Sequence, residues 1–167
     1  MLGKHDFLEI IDDYVSEATI KIGRLKYAGP LGQPNSLKVE IDFKQNVVLP
    51  VKPVSYHNAW RIRASANVMD VREICAEKIR AASDRSRYRD FYDLFLLFER
   101  YKFNVKEIKN LIAQKEIRKP ISSQSMLKNW AIAIGEKERE ISRVYYARGV
   151  NNNEIRELIQ RIDVNIK

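Results

Sequence analysis

The chain has 167 residues, 45% of them hydrophobic, and its 30 Lys and Arg against 22 Asp and Glu leave a formal charge of +8. That length suffices for one compact domain or two small lobes sharing a core, and the composition excludes disorder as the starting assumption. The positive balance favours polyanionic partners such as RNA, DNA or nucleotide phosphates, and the absence of any run of about 18 apolar residues argues against a membrane span.

Acidic groups interrupt Met1 to Asp13 where a signal peptide needs an apolar stretch, so export is not expected. From His5 to Ser16, Phe7, Leu8, Ile11 and Val15 recur at helical spacing, which predicts a short helix. The period then changes. Ile20, Ile22, Leu25 and Tyr27 are separated mainly by basic residues, and a turn-rich segment runs from Gly29 to Ser36. After it, Leu37, Val39, Ile41 and Phe43 alternate with Lys38, Glu40, Asp42 and Lys44, as in a half-buried strand. Val47 to Val51 and Trp60 to Val68 add two strand candidates. Residues 1–69 therefore read as a small mixed or antiparallel sheet with a helix.

Residues 70–167 read as a C-terminal helical bundle, which makes the fold class α+β. Asp70 followed by Glu73 has the spacing of a capping box. Cys75, the single cysteine, has no internal disulfide partner, and with His5 and His57 it makes a poor ligand set for structural zinc, so a reduced cytoplasmic location is expected. Asn104 caps a helix through Val105, Ile108, Leu111 and Ile112, and Pro120 interrupts. Ser122 to Arg148 suggests one long helix or two consecutive ones around Gly135. Asn151 to Asn153 caps a last helix through Ile155, Leu158, Ile159 and Ile162.

On a helical wheel, Val71, Ile74, Cys75, Ile79, Ala81 and Ala82 share one arc, with Arg72, Glu73, Glu77, Arg80 and Asp84 largely opposite. Lys78 and Arg85 fall inside the apolar arc, where each needs a carboxylate partner or a bound anion. The next helix leaves a narrow polar strip at Arg89, Asp93 and Arg100, with Asp90 at its edge and partly buried. On the strand, Lys38, Glu40 and Asp42 leave from one face. The structural alternatives are an ion-pair network at Lys78, Arg85 and Asp90, a solvated sheet face at the strand, and a core role for the aromatic run from Tyr88 to Tyr101.

The segment Val71 to Leu94 resembles the AbiEii/AbiGii family of nucleotidyltransferase toxins. That family's signature is a Glu-Lys-hydrophobic-x-Ala helix, an arginine, and then Arg-Asp-x-x-Asp-Leu. Here these are Glu77-Lys78-Ile79-Arg80-Ala81, Arg85, and Arg89-Asp90-Phe91-Tyr92-Asp93-Leu94. The strand Leu37 to Phe43 is similar to the family's Lys-hydrophobic-acid strand, so the resemblance runs from Leu8 to Tyr101. It implies a partial nucleotidyltransferase fold in 1–69 and transfer of a nucleotide from a nucleoside triphosphate (NTP) to an RNA acceptor such as tRNA. It also implies Mg2+, a toxin–antitoxin or phage-defence setting and a cognate antitoxin. By the same resemblance Lys78 holds the triphosphate and offsets charge on the leaving pyrophosphate, while Asp90 or Asp93 orients that lysine or acts as base. Arg85, Arg89 and Lys38 would bind phosphates, and Glu40 and Asp42 would hold the metal.

One departure from the pattern carries its own expectation. Such enzymes begin with a Gly-Gly or Gly-Ser turn leading to an Asp-x-Asp pair, and nothing before Leu37 supplies it: Asp12-Asp13 falls on the predicted helix and Gly29 to Gly32 lacks acids. Met1 falls just after the place where that motif would end, as in a truncated gene, a mis-assigned start or a domain of a split protein. The chain is then a nucleotidyltransferase keeping the lysine and aspartate half of the site, inactive in this form unless other carboxylates hold the metal. The alternative is a non-catalytic module that binds RNA, a nucleotide or a partner protein. An edge left open by missing strands would favour a homodimer. A ribonuclease is the weakest reading, since there is no Arg-x4-6-His motif.

Overall fold

The structure is a computed structural model. It describes residues 8–17, 19–28, 31–57, 63–115, 117, 119–142 and 149–167, with the backbone alone for 8, 9, 11, 12 and 141. It forms two compact units, Met1–Asn46 and Val47–Lys167. No helix among the described residues is long and apolar enough to cross a membrane.

The first unit is an antiparallel sheet in the order β1 (Leu8–Val15), β2 (Thr19–Ala28), β3 (Pro34–Asp42). The helix expected over 5–16 is corrected: Leu8–Val15 is a strand paired along β2, and 5–7 lie outside the described residues. Ile10, Ile11, Tyr14 and Val15 are strand formers, and pairing outweighs the helical spacing of four apolar residues. The apolar residues of β2 sit at 20, 22, 25 and 27, a change of parity that would send half of them to the opposite face. The register steps from Ile22↔Val39 to Leu25↔Leu37, three residues on β2 against two on β3. A bulge at Gly23 and Arg24 thus returns Leu25 and Tyr27 to the face of Ile20 and Ile22. All four are half-buried, while Lys21, Arg24 and Lys26 are exposed.

The second unit begins with the antiparallel hairpin β4 (Lys52–Tyr56) and β5 (Ala64–Val68). The hairpin is separate from the first sheet, so the single sheet read from 1–69 is corrected. Val47 to Val51 is not a strand: the backbone N–H groups of Val48 and Leu49 donate to the Glu73 carboxylate. Of the strand expected over 60–68, Ala64–Val68 is observed and 60–62 lie outside the described residues.

Six helices are described: α1 (Val71–Asp84), α2 (Tyr88–Arg100), α3 (Val105–Ala113), α4 (Ser123–Gly135), α5 (Lys137–Ile141) and α6 (Asn152–Ile162). Their starts follow the capping signals. Asp70 accepts the Arg72 N–H, Asn104 those of Lys106 and Glu107, and Ser122 that of Ser125. Asn151 and Glu154 form a complete capping box, whereas Glu73 turns away from Asp70, so the box expected there is corrected to a single cap. The short strands β6 (Ile121–Ser122) and β7 (Asn165–Ile166) pair beside α4.

Helix α1 packs against α2, α3 and α4, which buries more than one of its faces. Tyr88 and Phe91 of α2 close on Trp130 of α4, with ring centroids 5.5 and 5.2 Å apart. The aromatic run is therefore core at Tyr88, Phe91 and Tyr92, with Phe95 and Phe98 packed against it and Tyr101 exposed; each large buried apolar side chain contributes about 1.5–3 kcal/mol. This packing fixes α2 against α1 and sets the geometry of the charges between them.

Candidate functional site

The corner between α1 and α2 gathers the misplaced charges. Lys78 on α1 and Arg85, just past its end, both reach Asp90 in the first turn of α2. The Lys78 ammonium lies 3.2 Å from Asp90 Oδ1 and 2.6 Å from Asp93 Oδ2. Arg85 grips the same aspartate with two nitrogens, Nε at 2.8 Å from Oδ2 and Nη2 at 3.3 Å from Oδ1. Asp90 is 1% exposed, against 28% for the Lys78 side chain and 44% for those of Asp93 and Arg85. Its charge is buried, and those of its partners open to solvent. An ammonium has three donors, and the two aspartates use two of them.

Burial opposes ionisation of Asp90, but the Arg85 hydrogen bond and the charges of Lys78 and Arg85 outweigh it, so its carboxyl lies below the usual carboxylate range. The Asp90 hydrogen bond correspondingly raises Arg85. The loop carrying Arg85 is pinned from α4, because Asn129 donates to the carbonyls of Ala82 and Ser83 at 3.0 and 2.9 Å. Those are orphan carbonyls of a helix end, and the Arg85 N–H satisfies a third, that of Ala81. Arg89 is exposed, and its backbone N–H donates to Glu140 at 3.2 Å.

A second cluster on α1 escaped the sequence reading. Glu73, placed on the polar arc, is fully buried and pairs with Lys115 at 2.5 Å, whose side chain is 1% exposed. Lys115 also meets Glu77 at 2.7 Å, and Glu77 in turn holds Arg80 at 2.8 Å. Burial raises Glu73, yet the Lys115 hydrogen bond and the N–H groups of Leu49 and Val48 leave it below its ordinary value. A signal for Lys115 existed: it lies seven residues after Ile108, on the stripe of Ile108, Leu111 and Ile112.

A third cluster holds the root of the hairpin. Asp70 accepts from Lys52 at 2.6 Å and from Arg72 Nε at 2.9 Å, and Arg72 reaches Glu107 on α3 at 2.5 Å. The Arg72 and Lys52 hydrogen bonds hold the Asp70 carboxyl far below the usual range. Cys75 is wholly buried, and desolvation pushes its thiol up to about 12, which makes it inert.

In the first unit, Lys38, Glu40 and Asp42 lie exposed on β3. Glu40 Oε1 is 2.9 Å from Lys38 and 3.7 Å from Lys21, and Asp42 accepts the Lys44 N–H at 2.8 Å. A nucleotidyl transferase acts on a nucleoside triphosphate and typically employs a divalent metal, for which oxygen ligands are the right chemistry. In this arrangement the two carboxylates do not fit one, since two ammonium groups already crowd the Glu40 oxygen. Among the described residues no three Asp, Glu, His or Cys side chains come together as a metal site. No step below passes through a metal.

A family model described as "Nucleotidyl transferase AbiEii toxin, Type IV TA system" covers residues 7–161. No curated protein and no solved structure matches the chain.

Proposed function

Because the chain belongs to the AbiEii family of nucleotidyl transferase toxins of toxin–antitoxin systems, we propose that it transfers a nucleotide from an NTP to an RNA acceptor such as tRNA, in the cytoplasm. In this reading 1–69 is the nucleotidyltransferase-like lobe and 70–167 the helical domain that carries the lysine–aspartate half of the site, with a cognate antitoxin as partner. The observation that supports it is the Lys78 ammonium, held between a buried aspartate and a half-exposed one, with no third acceptor among the described residues.

The roles follow from burial. Asp90, locked by Arg85 and Lys78, positions both cations. Lys78 contacts the triphosphate and offsets charge as the bond to pyrophosphate breaks, while Arg85 and Arg89 grip phosphate oxygens. Asp93 is the more accessible carboxylate, and it takes the proton from the acceptor hydroxyl as that oxygen attacks the α-phosphorus.

A non-catalytic module that binds an NTP or RNA is the second reading, favoured by the lysine pairing of Glu40. The test is incubation with each labelled NTP, magnesium and total RNA, beside Lys78→Ala. Label on RNA from the wild-type chain and not from Lys78→Ala would uphold transfer, and would mean that carboxylates hold magnesium in an arrangement other than the one seen at Glu40 and Asp42. NTP binding without label transfer would support the second reading.

A further inference from the structure

The hairpin β4–β5 contributes no residue to the charge cluster at Lys78. All ten of its residues are exposed, and a two-stranded ribbon is marginally stable without something packed on it. Its root is fixed by Lys52 to Asp70. The register puts Lys52, Val54 and Tyr56 on one face, opposite Val68, Ala66 and Ala64. An aromatic residue in a sheet normally rests on a large cross-strand partner. Tyr56 has alanine there and again one pair further along, and it is 61% exposed. Among the described residues, none stacks on the ring.

Charge indicates the occupant. From Val47 to Met69 there is no Asp or Glu, where the chain's own average of 22 in 167 would place about three. Besides Lys52, whose charge is taken by Asp70, the same stretch carries His57, Arg61 and Arg63, with Tyr56 and Trp60 beside them. Arg63 is exposed beside Ala64, the partner of Tyr56. Arg61 and Trp60 lie outside the described residues and enter through the sequence alone. Cations interleaved with aromatics, without acids, suit a strand of unpaired bases on a phosphate backbone. A peptide strand added to a hairpin edge would have no need of this charge bias.

We propose that the β4–β5 hairpin is a docking platform for single-stranded RNA, with Tyr56 stacking on a base and Arg63 contacting phosphate. The RNA is then the acceptor strand, in which respect the inference rests on the transfer reading above.

The experiment is anisotropy of a labelled single-stranded RNA oligonucleotide on the full chain, without NTP. Tyr56→Ala should weaken binding about ten-fold and Tyr56→Phe should retain it, since stacking needs the ring and not the hydroxyl. Arg63→Ala should weaken binding about three- to ten-fold and lower the salt slope by about one. Both variants should keep the wild-type melting temperature and NTP affinity. Wild-type RNA affinity in Tyr56→Ala and Arg63→Ala, absence of RNA binding by the wild type, or equal competition by duplex RNA would overturn the proposal. RNA binding lost in these variants, in a protein that transfers no label, would uphold the platform while removing the transfer reading.

Discussion

Helix α1 carries two ion clusters little more than a turn apart, and they differ in access to solvent. At Glu73 and Lys115 both charges are sealed: the carboxylate has its ammonium and two backbone N–H groups, and neither partner is more than 1% exposed. At Lys78 the aspartate is equally buried, but its cations and Asp93 reach solvent. A sealed, fully partnered pair has nothing to offer a ligand and acts on folding. In the reading proposed above, the buried anchor leaves the open cations of the second cluster to receive an anion.

The sharpest break of that comparison is Lys115→Ala. It would leave Glu73 buried without its counter-charge, a loss of about 3–5 kcal/mol, read as a large fall in thermal midpoint. The double replacement Glu73→Gln with Lys115→Met should recover part of that loss, because it removes both charges. Asp90→Ala comes next, with about 1.5–3 kcal/mol expected from its charged hydrogen bonds. Lys78 keeps Asp93 and Arg85 turns to solvent in that variant, so the loss stays below that of Lys115→Ala, while NTP affinity falls.

Acid should weaken both clusters. Asp90 and Glu73 have lowered folded-state pKa values, so their stabilisation is complete above the ordinary carboxylate range and is lost as pH falls through the folded values. Melts should hold level down to about pH 5 and then drop as the pH falls below about 4. The Asp90→Asn variant should show a shallower drop than the wild type.

The sequence reading found the open cluster because Lys78 and Arg85 interrupt an apolar arc, and the structure gives them the carboxylate that burial demands. The same logic applied to Lys115 would have found the sealed one. Glu73 was hidden for another reason: the wheel assumes one buried face, and α1 is covered by α2, α3 and α4. Caps at Asn104 and Asn151 were legible since they are local chemistry. Strand β1 was not, because its pairing with β2 is a tertiary event that helical spacing cannot report. Nor could alternation along β3 show how exposed Leu37, Ile41 and Phe43 would be. The Glu40 contact with Lys21 likewise depends on the register of β2 against β3.

The central claim is that the Lys78 cluster binds anion while the Glu73 cluster holds the fold. It is tested most directly by measuring NTP affinity and thermal midpoint together on Lys78→Ala. Because Asp90 keeps its two-nitrogen bond to Arg85, the midpoint should change by the equivalent of no more than about 1 kcal/mol while NTP affinity is lost. A steep fall in the midpoint with NTP affinity unchanged would instead make Lys78 a second structural pair and contradict the account.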